Sequence, residues 1–249
     1  LAKLDVKIYF CIQDVLKGLF DGIDFPATFV DQDDDSVAAD YSISLMSLPF
    51  ALLNYQVTPL PQTFILNGTD DKTALNPMLL EDRDKPFIGL CWQGNPSNRN
   101  DVHRSLTLEE LIPHLPSEAT FFNLQISLTE QQEKRLAAHQ IVNFSEGLST
   151  LTGTAAICAR LDGVIAVDTS LCHLAGSLGI PTFLLLSLAS DWRWGKSTDR
   201  TVWYNNTKLF KQTSRGEWNA PLKSLKETLE RDIISPFYAG ADAGRFLGK

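Results

Sequence analysis

A chain of 249 residues has room for one large domain or two modest ones, and 44% hydrophobic with 21% charged residues is an ordinary globular balance. A formal net charge of −8 argues against a broad nucleic-acid surface and leaves room only for a local basic pocket. The four cysteines, Cys11, Cys91, Cys158 and Cys172, form no CxxC or Cys/His ligand spacing, so they read as reduced thiols of a cytoplasmic protein with no metal and no cofactor. No apolar run approaches the length of a membrane span, and the first residues lack the basic-then-apolar order of a signal peptide. Leu1 is not a natural start residue, so the chain reads as a piece of a longer one.

The first part alternates strands and helices: a strand over Val6 to Ile12, a short helix over Asp14 to Phe20, a strand over Ala27 to Val30. The acidic run Asp31 to Asp35 lacks the spacing, central glycine and closing glutamate of a calcium loop and reads as a solvated loop. Tyr41 to Leu45 alternates as a strand does, and Leu48 to Leu53 is expected as a helical turn. Pro59, Pro61, Asn67-Gly68 and the charged stretch Glu81 to Lys85 mark a linker.

From Pro86 the pattern becomes regular. Phe87 to Trp92 is a strand, Thr107 and Glu110 form a capping box for a helix through Leu115, and Phe121 to Leu124 is the next strand. An amphipathic helix over Glu130 to His139, a strand over Ile141 to Asn143 and a helix over Thr154 to Leu161 follow. Then come the strand Val164 to Val167, the helix Leu171 to Leu178, the strand Thr182 to Leu186 and a helix from Pro221 to about Ile234. Strands alternating with helices of this length predict a parallel, doubly wound α/β sheet.

Three segments can carry chemistry. The run Asp168-Thr169-Ser170-Leu171-Cys172-His173 leaves an apolar strand and enters a helix, and the unpaired N–H groups of such a helix start attract a phosphate. Thr169 and Ser170 either cap the helix and nothing more, or present their N–H groups to an oxyanion. Asp168 would repel a phosphate but accept from sugar hydroxyls, and His173 is either a satisfied core histidine or part of the site. The second segment, Gln93 to Arg104, also leaves a strand end; Gly94 and Asn95 suit unusual backbone angles. Arg104 is a forked donor able to clasp a diphosphate, or a surface arginine pairing with Glu109 or Asp101. The third, Asp191-Trp192-Arg193-Trp194-Gly195, offers two tryptophans that stack a base or sugar or else cover the end of the core. There is no GxGxxG after a strand, no GxxxxGK[ST] and no GxSxG, which removes the dinucleotide, P-loop and hydrolase-elbow fingerprints.

Taken together, Gly89-Leu90-Cys91-Trp92-Gln93-Gly94-Asn95-Pro96, Arg104-Ser105-Leu106, Asn123-Leu124-Gln125, Leu161 to Gly179 and Asp191 to Trp194 carry a resemblance. They resemble the C-terminal part of bacterial proteins that join tetratricopeptide repeats to a glycosyltransferase-like domain. That domain is similar to the heptosyltransferase family, with its GT-B fold of two Rossmann-like halves. The resemblance covers about residues 5 to 230. It implies a truncated N-terminal, acceptor-side half over 1–80, a donor-binding half over 85–235 and a tail over 236–249. It implies a donor site for a nucleotide diphosphate-sugar at Gln93, Gly94, Asn95, Arg104, Asp168, Thr169, Ser170, His173, Trp192 and Trp194, metal-independent transfer to an acceptor hydroxyl on a glycan, lipid or protein, and tetratricopeptide repeats in the parent protein. This chain departs from the family at Ser170, where glycine is usual, and at Gly153, where an acidic residue is common. A glycine-rich loop bearing the general base would precede Leu1. The expected activity is therefore glycosyl transfer, with a non-catalytic nucleotide-sugar-binding or protein-interaction module as the alternative.

Overall fold

The computed structural model describes residues 5–24, 26–31, 34, 36–51, 83–99, 101–143, 146–196 and 199–246. Its elements in chain order are β1 (Tyr9–Cys11), α1 (Asp14–Phe20), β2 (Thr28–Val30), α2 (Leu48–Ala51), β3 (Phe87–Cys91), α3 (Asp101–Arg104) and α4 (Leu108–Leu111). There follow β4 (Thr120–Asn123), α5 (Glu130–Ala138), β5 (Val142–Asn143), α6 (Leu151–Cys158), β6 (Gly163–Val167) and α7 (Ser170–Ser177). The chain continues through β7 (Thr182–Leu186), β8 (Thr207–Lys211), α8 (Asn219–Leu229) and α9 (Ser235–Phe246), the last two joined by a wider turn over Glu230–Ile234.

Strands β3 to β8 form one sheet in the order β5-β4-β3-β6-β7-β8, every neighbouring pair parallel. The apolar runs explain this. In β3, β6 and β7 every residue is buried, which a strand achieves only when both faces of its sheet are covered. Alternate residues divide between two cores. On one face Phe87, Cys91, Val164, Ala166, Leu184 and Leu186 meet Ala156 and Ile157 of α6 and Leu171, Cys172 and Ala175 of α7. On the other, Ile88, Leu90, Ile165, Val167, Phe183 and Leu185 meet Leu108 and Leu111 of α4, Leu136 of α5 and Leu222, Leu225 and Leu229 of α8. Gly89 allows close approach: a Cβ there would lie 2.3 Å from a Leu124 methyl and 2.8 Å from one of Leu161.

This strand order has one consequence for ligands. The chain enters at β3, winds outward to β5, returns to lay β6 beside β3, and winds the other way to β8. The connections after β3 and β6 therefore leave in opposite directions and open a crevice at their carboxyl ends, where doubly wound sheets bind ligands. The N-terminal elements form a separate two-stranded parallel sheet, β1 with β2, and α1 packs Leu19 against Ala155 of α6 and Leu174 of α7.

Several expectations are corrected. Tyr41 to Leu45 is not a strand; Leu45–Ser47 is a single 3₁₀ turn, and Tyr41, Ile43 and Leu45 all lie exposed, so the alternation has no buried face to serve. The capping box of Thr107 and Glu110 is present, but α4 ends at Leu111 and its last turn tightens to 3₁₀ over Ile112–His114, with Pro113 at its start. The C-terminal helical region does not stop near Ile234. It continues as α9 through Phe246, across most of the stretch expected as a tail. The linker markers Pro59 to Gly68 lie outside the described residues. Arg83, in the charged stretch that follows, pairs with Asp162 at 2.9 Å and lies over the Phe87 ring.

Candidate functional site

The crevice is built from the two loops that leave β3 and β6. After β3 the chain runs through buried Trp92 into the polar segment beginning at Gln93. Gln93 spends its groups on structure: its N–H donates to Gln125 Oε1 (3.2 Å), and its Oε1 accepts from Gln132 Nε2 (2.7 Å). Asn95 is exposed and accepts from the Ser97 N–H at 2.9 Å, an Asx turn that shapes the loop.

Gly94 is buried against the guanidinium of Arg104. Its N–H donates to Ser105 Oγ, and a Cβ on it would stand 2.2 Å from Asp101 Oδ1 and 2.4 Å from Arg104 Nη2. Asp101, 9% exposed, accepts Arg104 Nε on one oxygen and Ser105 Oγ on the other, each at 2.9 Å. The guanidinium is thus held from below, and its Nη1 reaches across the crevice to donate to the main-chain carbonyl of Asp168 at 2.7 Å. Of the alternatives for Arg104, pairing with Asp101 is real but is not a surface contact; Glu109 pairs with Arg135 instead.

On the β6 side, α7 begins at Ser170 with Thr169 in the N-cap position and extended backbone. The threonine does not cap: its hydroxyl donates to the Val167 carbonyl at 3.3 Å and lies 3.8 Å from Cys91 Sγ. Cys172 N–H turns back to the Thr169 carbonyl. Ser170 is exposed, so the helix start faces solvent instead of lying under other side chains.

His173, half-buried on the second turn, stacks on Trp194 (centroids 5.0 Å, planes 19° apart), and its Nδ1 lies 3.0 Å from the Tyr204 hydroxyl. Burial holds its pKa below the usual imidazole range, with Arg193 adding to the effect and Asp168 and Asp191 opposing it. Donor atoms of Asp168, Cys172 and His173 lie within 4.8 Å of one another. Cys172, however, is fully buried and donates its thiol hydrogen to the Thr169 carbonyl at 3.0 Å, and burial pushes its pKa far up, a poor basis for a cation seat. Burial likewise pushes Cys91 up to about 11.

The two tryptophans part company. Trp192 is 60% exposed on the short 3₁₀ turn after β7, which Asp191 caps through the Arg193 N–H. Trp194, expected among the ligand-stacking residues, is 1% exposed and turned into the core with one face against His173, so no base can reach it. Sequence reasoning named Asp101 as a partner of Arg104 only on the surface, and it missed the contact of Tyr204 with His173. Tyr204, 31 positions from its partner, offered no local signal. Among the described residues no helix is long and apolar enough to cross a membrane.

Sheet order and crevice together define a doubly wound α/β protein whose switch point brings a tethered arginine beside an uncapped helix start. No protein-family model matches the chain. Over 158 residues it is 30% identical to Protein FlbA of Caulobacter vibrioides, a match that covers 60% of this chain and 26% of FlbA, so the chain spans about a quarter of that curated relative. Among solved structures it is similar to E. coli ADP-heptose LPS heptosyltransferase II, with TM-score 0.44, 17% identity, and 67% of this chain and 52% of that one covered. It is also similar to a glycosyl transferase family 9 protein of Veillonella parvula, with TM-score 0.40, 12% identity and coverage of 62% and 42%.

Proposed function

We propose that this chain is the donor-binding part of a glycosyltransferase of the heptosyltransferase kind, seating the diphosphate of a nucleotide-sugar between Arg104 and the start of α7. The observation that carries the reading is the bond from Arg104 Nη1 to the Asp168 carbonyl, which brings a fixed guanidinium to the uncapped helix N-terminus at the switch point. As the bond from sugar to phosphate breaks, charge builds on the leaving diphosphate. A preorganised guanidinium and the amides of Ser170 and Leu171 stabilise it in place of a metal ion. The Asp168 carboxylate orients sugar hydroxyls, Trp192 stacks the base, and the loop of Gln93, Gly94 and Asn95 sets the distance between them.

A second reading is a nucleotide-sugar-binding module without turnover. The observation that favours it is that Asp101 and Asp191 are paired with Arg104 and Arg193, which among the described residues leaves Asp168 as the one unpaired carboxylate at the crevice to deprotonate an acceptor. Incubation with a panel of nucleotide-sugars decides between the two. Release of nucleoside diphosphate supports the transferase, thermal stabilisation by a nucleotide-sugar without release supports the module, and neither response removes the donor site altogether.

A further inference from the structure

The imidazole of His173 is gripped on two sides by residues that the donor site as described does not use. Trp194 covers one face, and the Tyr204 hydroxyl meets Nδ1 at 3.0 Å. Tyr204 is itself fixed. Its ring lies so close over Gly176 that a Cβ there would come within 2.7 Å of it, and its hydroxyl is hydrogen-bonded to Ser177. Of the phenol and the imidazole, the phenol is the better donor and the imidazole nitrogen the better acceptor, so the phenol hydrogen goes to Nδ1. A nitrogen that accepts at Nδ1 requires the ring proton at Nε2. The charged and titratable groups facing the ring are Asp168, Cys172, Asp191, Arg193 and Tyr204, and a ring nitrogen lies within 4.8 Å of an Asp168 carboxylate oxygen.

We propose that Tyr204 is a positioning residue: its hydroxyl donates to Nδ1 of His173 and holds the imidazole in the Nε2–H tautomer, so that His173 serves as a neutral N–H donor beside the diphosphate seat. The inference rests on the donor-site reading above. Its physical logic is that a neutral imidazole adds a hydrogen bond to an anion without the cost of burying an imidazolium when the site is empty. Trp194, stacked on one face of the ring, keeps the imidazole plane in line with the Tyr204 hydroxyl.

The test is a long-range ¹H–¹⁵N spectrum of the imidazoles in the full chain, with His173 assigned by the loss of its signals in His173→Gln. Wild type is expected to show the Nε2–H pattern, and Tyr204→Phe, which keeps the ring over Gly176, is expected to show a mixture of tautomers. Affinity for inorganic pyrophosphate, measured by calorimetry, should fall about three- to tenfold in Tyr204→Phe, the worth of one neutral hydrogen bond. An Nδ1–H pattern in wild type overturns the proposal, as does a tautomer ratio or a pyrophosphate affinity unchanged in Tyr204→Phe. Wild type that binds no pyrophosphate at all refutes the donor-site reading instead, and the spectra still decide whether Tyr204 sets the tautomer.

Discussion

Arg104 and Asp168 stand 64 residues apart in the chain, yet the guanidinium of one donates to the main-chain carbonyl of the other at 2.7 Å. The bond ties the loop after β3 to the turn after β6 at the point where the sheet reverses its winding. It also consumes only one arm of the fork, Nη1, while Nε is taken by Asp101.

Removing that side chain should weaken binding and loosen the turn together. Arg104→Ala is expected to lower affinity for nucleoside diphosphates by about 1.5–3 kcal/mol, the worth of a hydrogen bond to a charged group. It also leaves the Asp101 carboxylate buried without its cation, so the melting temperature should fall. Arg104→Lys, which keeps the charge and loses the fork, should recover only part of the affinity. Calorimetric affinities equal across the three proteins would take Arg104 out of the site.

Gly94→Ala tests the same geometry from within the loop that carries Arg104. The added methyl would collide with Asp101 Oδ1 and Arg104 Nη2, so either the loop or the ion pair must move. Overpacking of this kind costs about 1–3 kcal/mol. The expected result is a lower urea midpoint, with diphosphate affinity reduced as far as in Arg104→Ala. An alanine tolerated at full stability and full affinity would mean that the loop is not seated on Arg104 in solution.

How much of this could be read from residues alone follows from what each segment must satisfy. Strands β3, β6 and β7 are legible because burial on both faces leaves them uniformly apolar, and α1 and the capping box of Thr107 with Glu110 are legible because their signals are local. Strand β8 escaped notice because Thr207-Lys208-Leu209-Phe210-Lys211 sits at the sheet edge and mixes lysines with apolar residues. Arg104 and Thr169 were legible as candidates, and the resemblance set them in one expected site; from the residues alone their convergence depends on β3 and β6 being neighbours, a property of strand order that no local pattern encodes. For the same reason Trp192 and Trp194 looked equivalent. Only the packing against His173 separates an exposed platform from a buried wedge.

That separation gives opposite expectations for the two tryptophans. Trp194→Ala removes a ring that is 1% exposed and should cost about 3–5 kcal/mol of stability. Trp192→Ala removes an exposed ring and should change stability by less than about 0.5 kcal/mol. If Trp192 stacks a base, the same variant should lose about 1–3 kcal/mol of nucleotide affinity. Denaturation curves and nucleotide titrations on both variants check the pair. A Trp192→Ala protein with native affinity would leave the base to be held elsewhere.

The half-buried histidines set a pH dependence whose sign can be worked out. Burial lowers the pKa of both His173 and His114 below the ordinary 6.5, aided by Arg193 for the first and Lys226 for the second. Above pH 6.5 both states carry neutral imidazoles and nothing changes. As pH falls below 6.5 the unfolded chain takes up protons that the folded chain refuses, so stability declines until the folded pKa values are reached. Carboxylates held low in the folded state, Glu109 and Asp232, lose their contribution only below their ordinary values of 4.5 and 3.8, outside this window. Urea midpoints should therefore drop between pH 7.5 and pH 5.5 in wild type. His173→Gln, which has no proton to take up in that range, should flatten the drop, and His114→Gln should flatten it by a separate increment. A slope unaltered by His173→Gln would mean that the imidazole is not buried as neutral in the folded protein and that the stack on Trp194 opens in solution.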